Sequence, residues 1–204
     1  MDWRDRVRAL PQQADPLRFG RHVPPPDFRG RESAVLIALA DAGHDLDLLL
    51  IERARDGSLH SGQPAFPGGR TEPQDADAVA TAMREAQEET GIEPASLEVL
   101  AVLPRLHLAV SDFAVTPVVA HWHTPGPVHP ADPAEVAGVH RVPVRALVDP
   151  SNRAMARHPS GSQGPAFLVA GLVVWGFTAA IIDGLLIALA WDEPWDRARI
   201  VDPT

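Results

Sequence analysis

The sequence predicts an α+β fold in which helices pack on the faces of a mixed β-sheet. Three observations lead there. About six apolar runs have strand length and composition, two longer segments have helical spacing, and the two kinds neither alternate strictly nor repeat. The chain has 204 residues, 45% apolar and 22% charged, which suits a globular chain with a full hydrophobic core. No boundary interrupts it, so residues 1–204 read as one domain, with 1–30 an extension made of a short helix and a Pro-rich loop.

Trp3, Val7 and Leu10 recur at helical spacing and predict the opening helix. The prolines of 23–26 force extended loop structure. Residues 33–40 (SAVLIALA) read as a buried strand, 41–45 as a turn, and 46–53 as a hairpin partner. Residues 97–103 and 113–122 are further strands. The four prolines of 124–133 mark a loop, and 136–144 is another strand. Residues 152–165 are polar and Gly-rich, and are expected to be mobile. Residues 167–175 then read as a strand and 177–190 as a closing helix.

Composition excludes several function classes. The net charge of −9 argues against nucleic acid as the main partner, because a phosphate backbone needs a basic footprint. A small phosphate ligand in a local site remains open. With no cysteine, disulfides, thiolate catalysis and thiolate metal sites are ruled out. Every basic residue is Arg, which excludes a Lys Schiff base and a Walker-type Lys. The N-terminus carries acids without a following apolar run, so no secretory signal is expected. The uncharged stretch 166–182 is shorter than the roughly 20 residues a membrane span needs, and Gly171, Gly176 and Thr178 suit a strand-turn-helix passage in the core. The expectation is a cytoplasmic protein without membrane attachment.

The chemistry concentrates in residues 68–92. Asp75 or Asp77 can cap the helix that follows, and Gly91 can close it. At about 100° per residue, Val79, Ala82, Met83 and Ala86 form the core stripe. Glu85 and Glu89 fall about 40° apart, one turn from each other, and are expected to point away from that stripe. Glu88 lies on the flank nearer Arg84. Like charges this close cost a few tenths of a kcal/mol per pair in an isolated helix. A hard divalent cation turns the repulsion into attraction. Acidic helix faces are usually just solvated surface, but the Gly68-Gly69 turn upstream and Gly91-Ile92 downstream favour a site. His121 and His123 flank Trp122 at a spacing compatible with metal, yet without a third ligand they read as strand-end histidines. No Ser-His-Asp nucleophile set is identifiable.

This block resembles the signature of the Nudix hydrolases: Gly, five residues, Glu, seven residues, then Arg-Glu-apolar-x-Glu-Glu-x-Gly-apolar. Arg84, Glu85, Glu88, Glu89, Gly91 and Ile92 match it, with Ala86 at the apolar place. Upstream, five residues after Gly69 lead to Asp75 rather than Glu, and the turn is one residue longer than the pattern. Residues 49–53 (LLIER), 60–69 (HSGQPAFPGG), 111–119 and 175–179 resemble the coenzyme A diphosphatase branch, with Ser58 where a basic residue is expected.

The resemblance spans roughly 33–190. It implies a single Nudix-like α/β/α sandwich and Mg²⁺ or Mn²⁺ as cofactor. It also implies hydrolysis of coenzyme A or acyl-coenzyme A to 3′,5′-adenosine diphosphate and 4′-phosphopantetheine or its acylated form. Glu85 and Glu89 would be the principal metal ligands and Glu88 a further one, with Arg84 holding them in register. The Gly68-Gly69 backbone would approach phosphate closely. Arg53, Gln63, Phe66 and His60 are candidate substrate contacts, although Arg53 can equally end a strand in an ion pair and Phe66 can be core. The general base stays open between a helix glutamate and a distant acid such as Glu135. The rival readings are a hydrolase of ADP-ribose or a dinucleotide, and a domain that binds nucleotide without turnover.

Overall fold

The computed structural model describes residues 2–13, 24–25, 27–43, 45–55, 57, 61–108, 112–158 and 161–203. In chain order the elements are α1 (Trp3–Ala9), β1 (Arg31–Ala42), β2 (Asp45–Arg53), β3 (Pro64–Ala65), β4 (Gly68–Arg70), α2 (Ala78–Thr90), β5 (Leu97–Val102), β6 (Leu106–Leu108), β7 (Phe113–Trp122) and β8 (Val136–Pro143). Then come α3 (Val144–Val148), β9 (Arg153–Arg157), β10 (Gln163–Val169), β11 (Leu172–Val174), α4 (Gly176–Ala188) and β12 (Ile200–Val201).

Strand β1 is the spine of the main sheet. It pairs in parallel with β7 from Arg31–Phe113 to Ala40–Trp122. Its other edge pairs antiparallel with β4 near its start and with β2 near its end. Strand β2 carries β3 and β8, and β7 carries β5 and β6. A second sheet has the order β11-β10-β9-β12.

Both faces of β1 are covered, which is why it reads as a continuous apolar run. Successive side chains of a strand point to opposite faces. Ile37 and Leu39 enter one core with Val7 and Leu10 of the opening segment, and with Ile181, Leu185 and Leu186 of α4. Ala34, Leu36, Ala38 and Ala40 enter the other, against Ala82 and Ala86 of α2. Three of those four are alanines, so α2 approaches the sheet closely. Helices therefore flank the mixed sheet on both faces, as expected.

Three expectations need correction. Residues 153–157 and 163–165 are strand rather than a mobile segment, paired with each other from Gln163–Arg157 to Phe167–Arg153. The single strand expected over 167–175 is a hairpin, β10–β11, turned by Ala170 and Gly171 at φ 53° and 76°. Strand β1 runs on to residue 42 before the turn. Val23 and Pro26 of the Pro-rich segment lie outside the described residues. The stretch 166–182 divides among β10, β11 and α4, and no described helix is long and apolar enough to cross a membrane.

Candidate active site

Helix α2 is defined at both ends by local chemistry. The Asp77 carboxylate accepts the Ala80 N–H at 2.9 Å, and Gly91 closes the helix in the left-handed conformation at φ 69°. With Asp77 as the cap, Asp75 is free for another partner. It accepts from Arg84 Nε at 3.0 Å and Nη2 at 2.9 Å, and also from the Thr81 hydroxyl and the Glu72 N–H. The Arg84 guanidinium holds the Asp75 carboxyl well below the usual carboxylate range.

Arg84 donates further bonds from Nη1 to Glu85 Oε1 and Glu88 Oε2, both at 2.9 Å, and from Nη2 to the Arg70 carbonyl at 3.0 Å. These fill the donor capacity of a guanidinium. One side chain thereby joins the extended loop, the β4 end and two acids of the helix. The acid displaced in the loop relative to the family pattern is the one that meets Arg84.

Sequence reasoning placed Glu85 and Glu89 away from the core. The structure instead turns them inward, because β4 lies across that side of α2. Glu89 is 4% exposed, and its Oε2 accepts the Gly68 N–H at 2.8 Å. Arg53 Nη1 stands 4.0 Å from its other oxygen. Burial pushes the Glu89 carboxyl up to about 7; the Gly68 N–H and Arg53 pull it down, and Glu85 and Glu135 push it further up. Burial also raises Glu85, against the pull of Arg84. Glu88 is 59% exposed at its side chain and bonds to Arg84.

The diglycine is required by this packing. A Cβ on Gly69 would sit 2.5 Å from the Glu85 carboxylate, and one on Gly68 would stand 2.6 Å from Val35 Cα and collide with the Ala34 carbonyl. Hydrogen at Gly69 lets the strand approach Glu85, and hydrogen at Gly68 lets it lie against β1.

Among the described residues no three acids or histidines converge on one point as a ready metal cage. Mg²⁺, however, is bound through one or two carboxylates plus water and substrate phosphate oxygens. Glu85 and Glu89 supply two hard oxygen donors on one turn, and burial leaves Glu89 short of compensating charge. The donor set fits such a cation. His121 and His123 do not form a second site. His121, 7% exposed, meets Asp41 at 3.0 Å and Arg4 at 3.1 Å, tying α1 to the sheet, while His123 bonds Thr124.

The remaining candidates scatter. Arg53 reaches Glu89, and its backbone N–H donates to the Gln63 carbonyl at 3.1 Å. Phe66 is 3% exposed inside the core shared with α4, which removes it from any substrate surface. His60 and Ser58 lie outside the described residues. Sequence reasoning missed the role of Asp75 as the partner of Arg84; the signal available was its departure from the motif spacing.

A family model described as the NUDIX domain matches residues 30–162, more than half of the chain. The chain belongs to the Nudix family. This Nudix protein is 37% identical over 183 residues to a protein of Pectobacterium atrosepticum named "Uncharacterized Nudix hydrolase NudL", covering 87% of this chain and 93% of the relative. Two solved Nudix hydrolases share the fold. One is RenU of M. smegmatis, at TM-score 0.51 and 22% identity over 78% of this chain and 86% of that one. The other comes from Nitrosomonas europaea, at TM-score 0.54 and 13% identity over 85% and 79%. The protein is accordingly a hydrolase of nucleoside diphosphate derivatives, in a family that uses divalent metal ions.

Proposed function

We propose that this Nudix hydrolase cleaves the diphosphate of coenzyme A or acyl-coenzyme A, with Mg²⁺ or Mn²⁺, to 3′,5′-adenosine diphosphate and (acyl-)4′-phosphopantetheine. The observation that supports the substrate reading is the placement of Arg53 beside the buried Glu89. Arg53 ends β2, and residues 61–69, part of the stretch that resembles the coenzyme A branch, run through β3 into Gly68-Gly69. The Arg53 N–H donates to the Gln63 carbonyl at 3.1 Å, and the Arg53 guanidinium stands 4.0 Å from Glu89.

The substrate is already anionic, and attack by water on phosphorus adds charge. A divalent ion, when bound, would supply charge neutralisation and a more acidic water. The chain's own residues do the rest. Glu85 and Glu89 would hold the ion, with Glu88 as a further ligand or one acting through water. Arg84 keeps the acids in register through its bonds to Glu85, Glu88 and Asp75, and does not touch substrate. The diglycine would let backbone approach phosphate, and Arg53, beside Glu89, and Gln63 would contact the substrate. The general base is one of the helix glutamates or Glu135, whose charge is felt at Glu89.

The test is a coenzyme A hydrolysis assay with and without divalent metal, run beside Glu89→Gln, with products identified by mass. Metal-dependent release of phosphopantetheine, lowered by orders of magnitude in the variant, is expected. Preference for ADP-ribose rejects the substrate, and tight binding without turnover rejects catalysis.

A further inference from the structure

Where the diglycine strand ends, the surface opens into a cleft of about 910 Å³ between the start of β1, the loop after β4 and the start of β7. Arg29, Arg31 and Arg70 line it together with Glu32, Glu72 and Asp112. By formal count the charges cancel, but their engagements differ. Glu32 is paired with Arg105 at 2.7 Å, Asp112 faces His107 at 3.5 Å, and Glu72 accepts from the Gln74 amide. Arg31 lies over the Phe113 ring at 4.2 Å. Arg29 and Arg70 make no ion pair among the described residues. All three acids have partners and two guanidiniums do not, so the cleft attracts anions on a chain whose net charge is −9.

The cleft is also built rather than incidental. The Thr71 N–H donates to the Glu32 carbonyl at 3.0 Å, and the Arg31 N–H to the Asp112 carbonyl at 3.1 Å. The Arg70 carbonyl is held by Arg84, the same guanidinium that orders Glu85 and Glu88. Arg70 follows Gly69 directly, and Arg31 lies three strand residues beyond the partner of Gly69, roughly 10 Å at about 3.3 Å per residue. An anion here would therefore be a neighbour of the scissile diphosphate and not the diphosphate itself.

We propose that this cleft receives a second phosphate of the substrate, a phosphomonoester on its ribose, and so selects 3′-phosphorylated nucleotides over their dephosphorylated forms. The inference rests on the coenzyme A reading, whose substrate carries such a group. Guanidinium–phosphate bonds are charge-assisted and geometrically selective.

The experiment compares coenzyme A with dephospho-coenzyme A as substrates of the wild-type protein, Arg29→Gln, Arg70→Gln and the double variant. Binding of 3′,5′-adenosine diphosphate and of AMP is measured by calorimetry on the same proteins. The wild-type kcat/KM ratio of coenzyme A to its dephosphorylated form is expected to be tenfold or more. It should fall about threefold in each single variant and approach one in the double variant, recover partly in Arg70→Lys, and shrink with salt. The calorimetric preference for 3′,5′-adenosine diphosphate should fall in parallel. A wild-type ratio near one, or a ratio that the variants leave intact while their melting temperatures match wild type, overturns the inference. Absence of coenzyme A turnover with the calorimetric preference preserved would reject the substrate reading and leave the phosphate cleft standing.

Discussion

Glu89 is the side chain at which stability and chemistry oppose each other. Burial raises its carboxyl from the ordinary 4.5 to about 7, so the folded chain binds a proton there that the unfolded chain has released. The metal-free protein therefore loses stability as pH rises from about 4.5 to 7. In Glu89→Gln that loss is absent: denaturant unfolding at pH 8 without metal should show a gain of about 2 kcal/mol. Hydrolysis should still collapse in the same variant. Equal stability of the two proteins across pH 5 to 8 would contradict the burial argument. Asp75 has the opposite sign. Arg84 depresses its carboxyl, so its contribution is present above the ordinary carboxylate value of about 4 and lost as pH falls further. Asp75→Asn should be less stable than wild type at neutral pH and converge with it in acid, read by thermal melts across pH. The spacing of Arg84, Glu85, Glu88 and Glu89 was legible in the sequence. The separate duties of Asp75 and Asp77 were not, because either carboxylate can cap a helix that starts at Ala78.

Among the elements, the pairing of β4 with α2 sets the site. Gly69→Ala would place a methyl carbon 2.5 Å from the Glu85 carboxylate, and the flexible side chain must give way. Turnover is expected to fall at least tenfold, with helical content by circular dichroism retained and metal affinity reduced. Normal turnover would mean that Glu85 tolerates displacement and is not a principal ligand. Helix α2 was readable because its stripe, its acids and Gly91 all follow one 3.6-residue period. Strand β9 was not. Its sequence, RAMAR, is poor in β-branched and aromatic residues, and its first side chain is a charged residue that ends up inside. Pairing to β10, the next element in the chain, and to the remote β12 makes it a strand.

Across the whole molecule, Arg153 joins the second sheet to α4 and to the C-terminal segment. It is 1% exposed, pairs with Asp183, and lies 4.4 Å from the Phe167 ring and 4.6 Å from Trp195. Burial lowers its affinity for a proton, and Asp183 opposes that. Removing one partner of a buried pair strands the other charge and opens a gap between the rings. Arg153→Ala should cost about 3–5 kcal/mol in denaturant unfolding. A loss below 1 kcal/mol would show that the segment around Trp195 is not held through this arginine. Helix α1 is bound on the same face by Val7 and Leu10, with Arg4 bridging Asp41 and His121 at its edge.

Sequence alone determined which side chains share a helical turn, where that helix stops, and which runs are apolar enough for the sheet. These follow from the fixed pitch of an α-helix, the freedom of glycine and the two-residue period of a strand. Tertiary structure decided which of those side chains lose their water. Glu89 meets Gly68 across 21 positions of chain, and Arg53 reaches it from β2. Proximity along a helix is set by bonded geometry, but desolvation is set by whatever distant strand happens to cover the face, and periodicity carries no record of that.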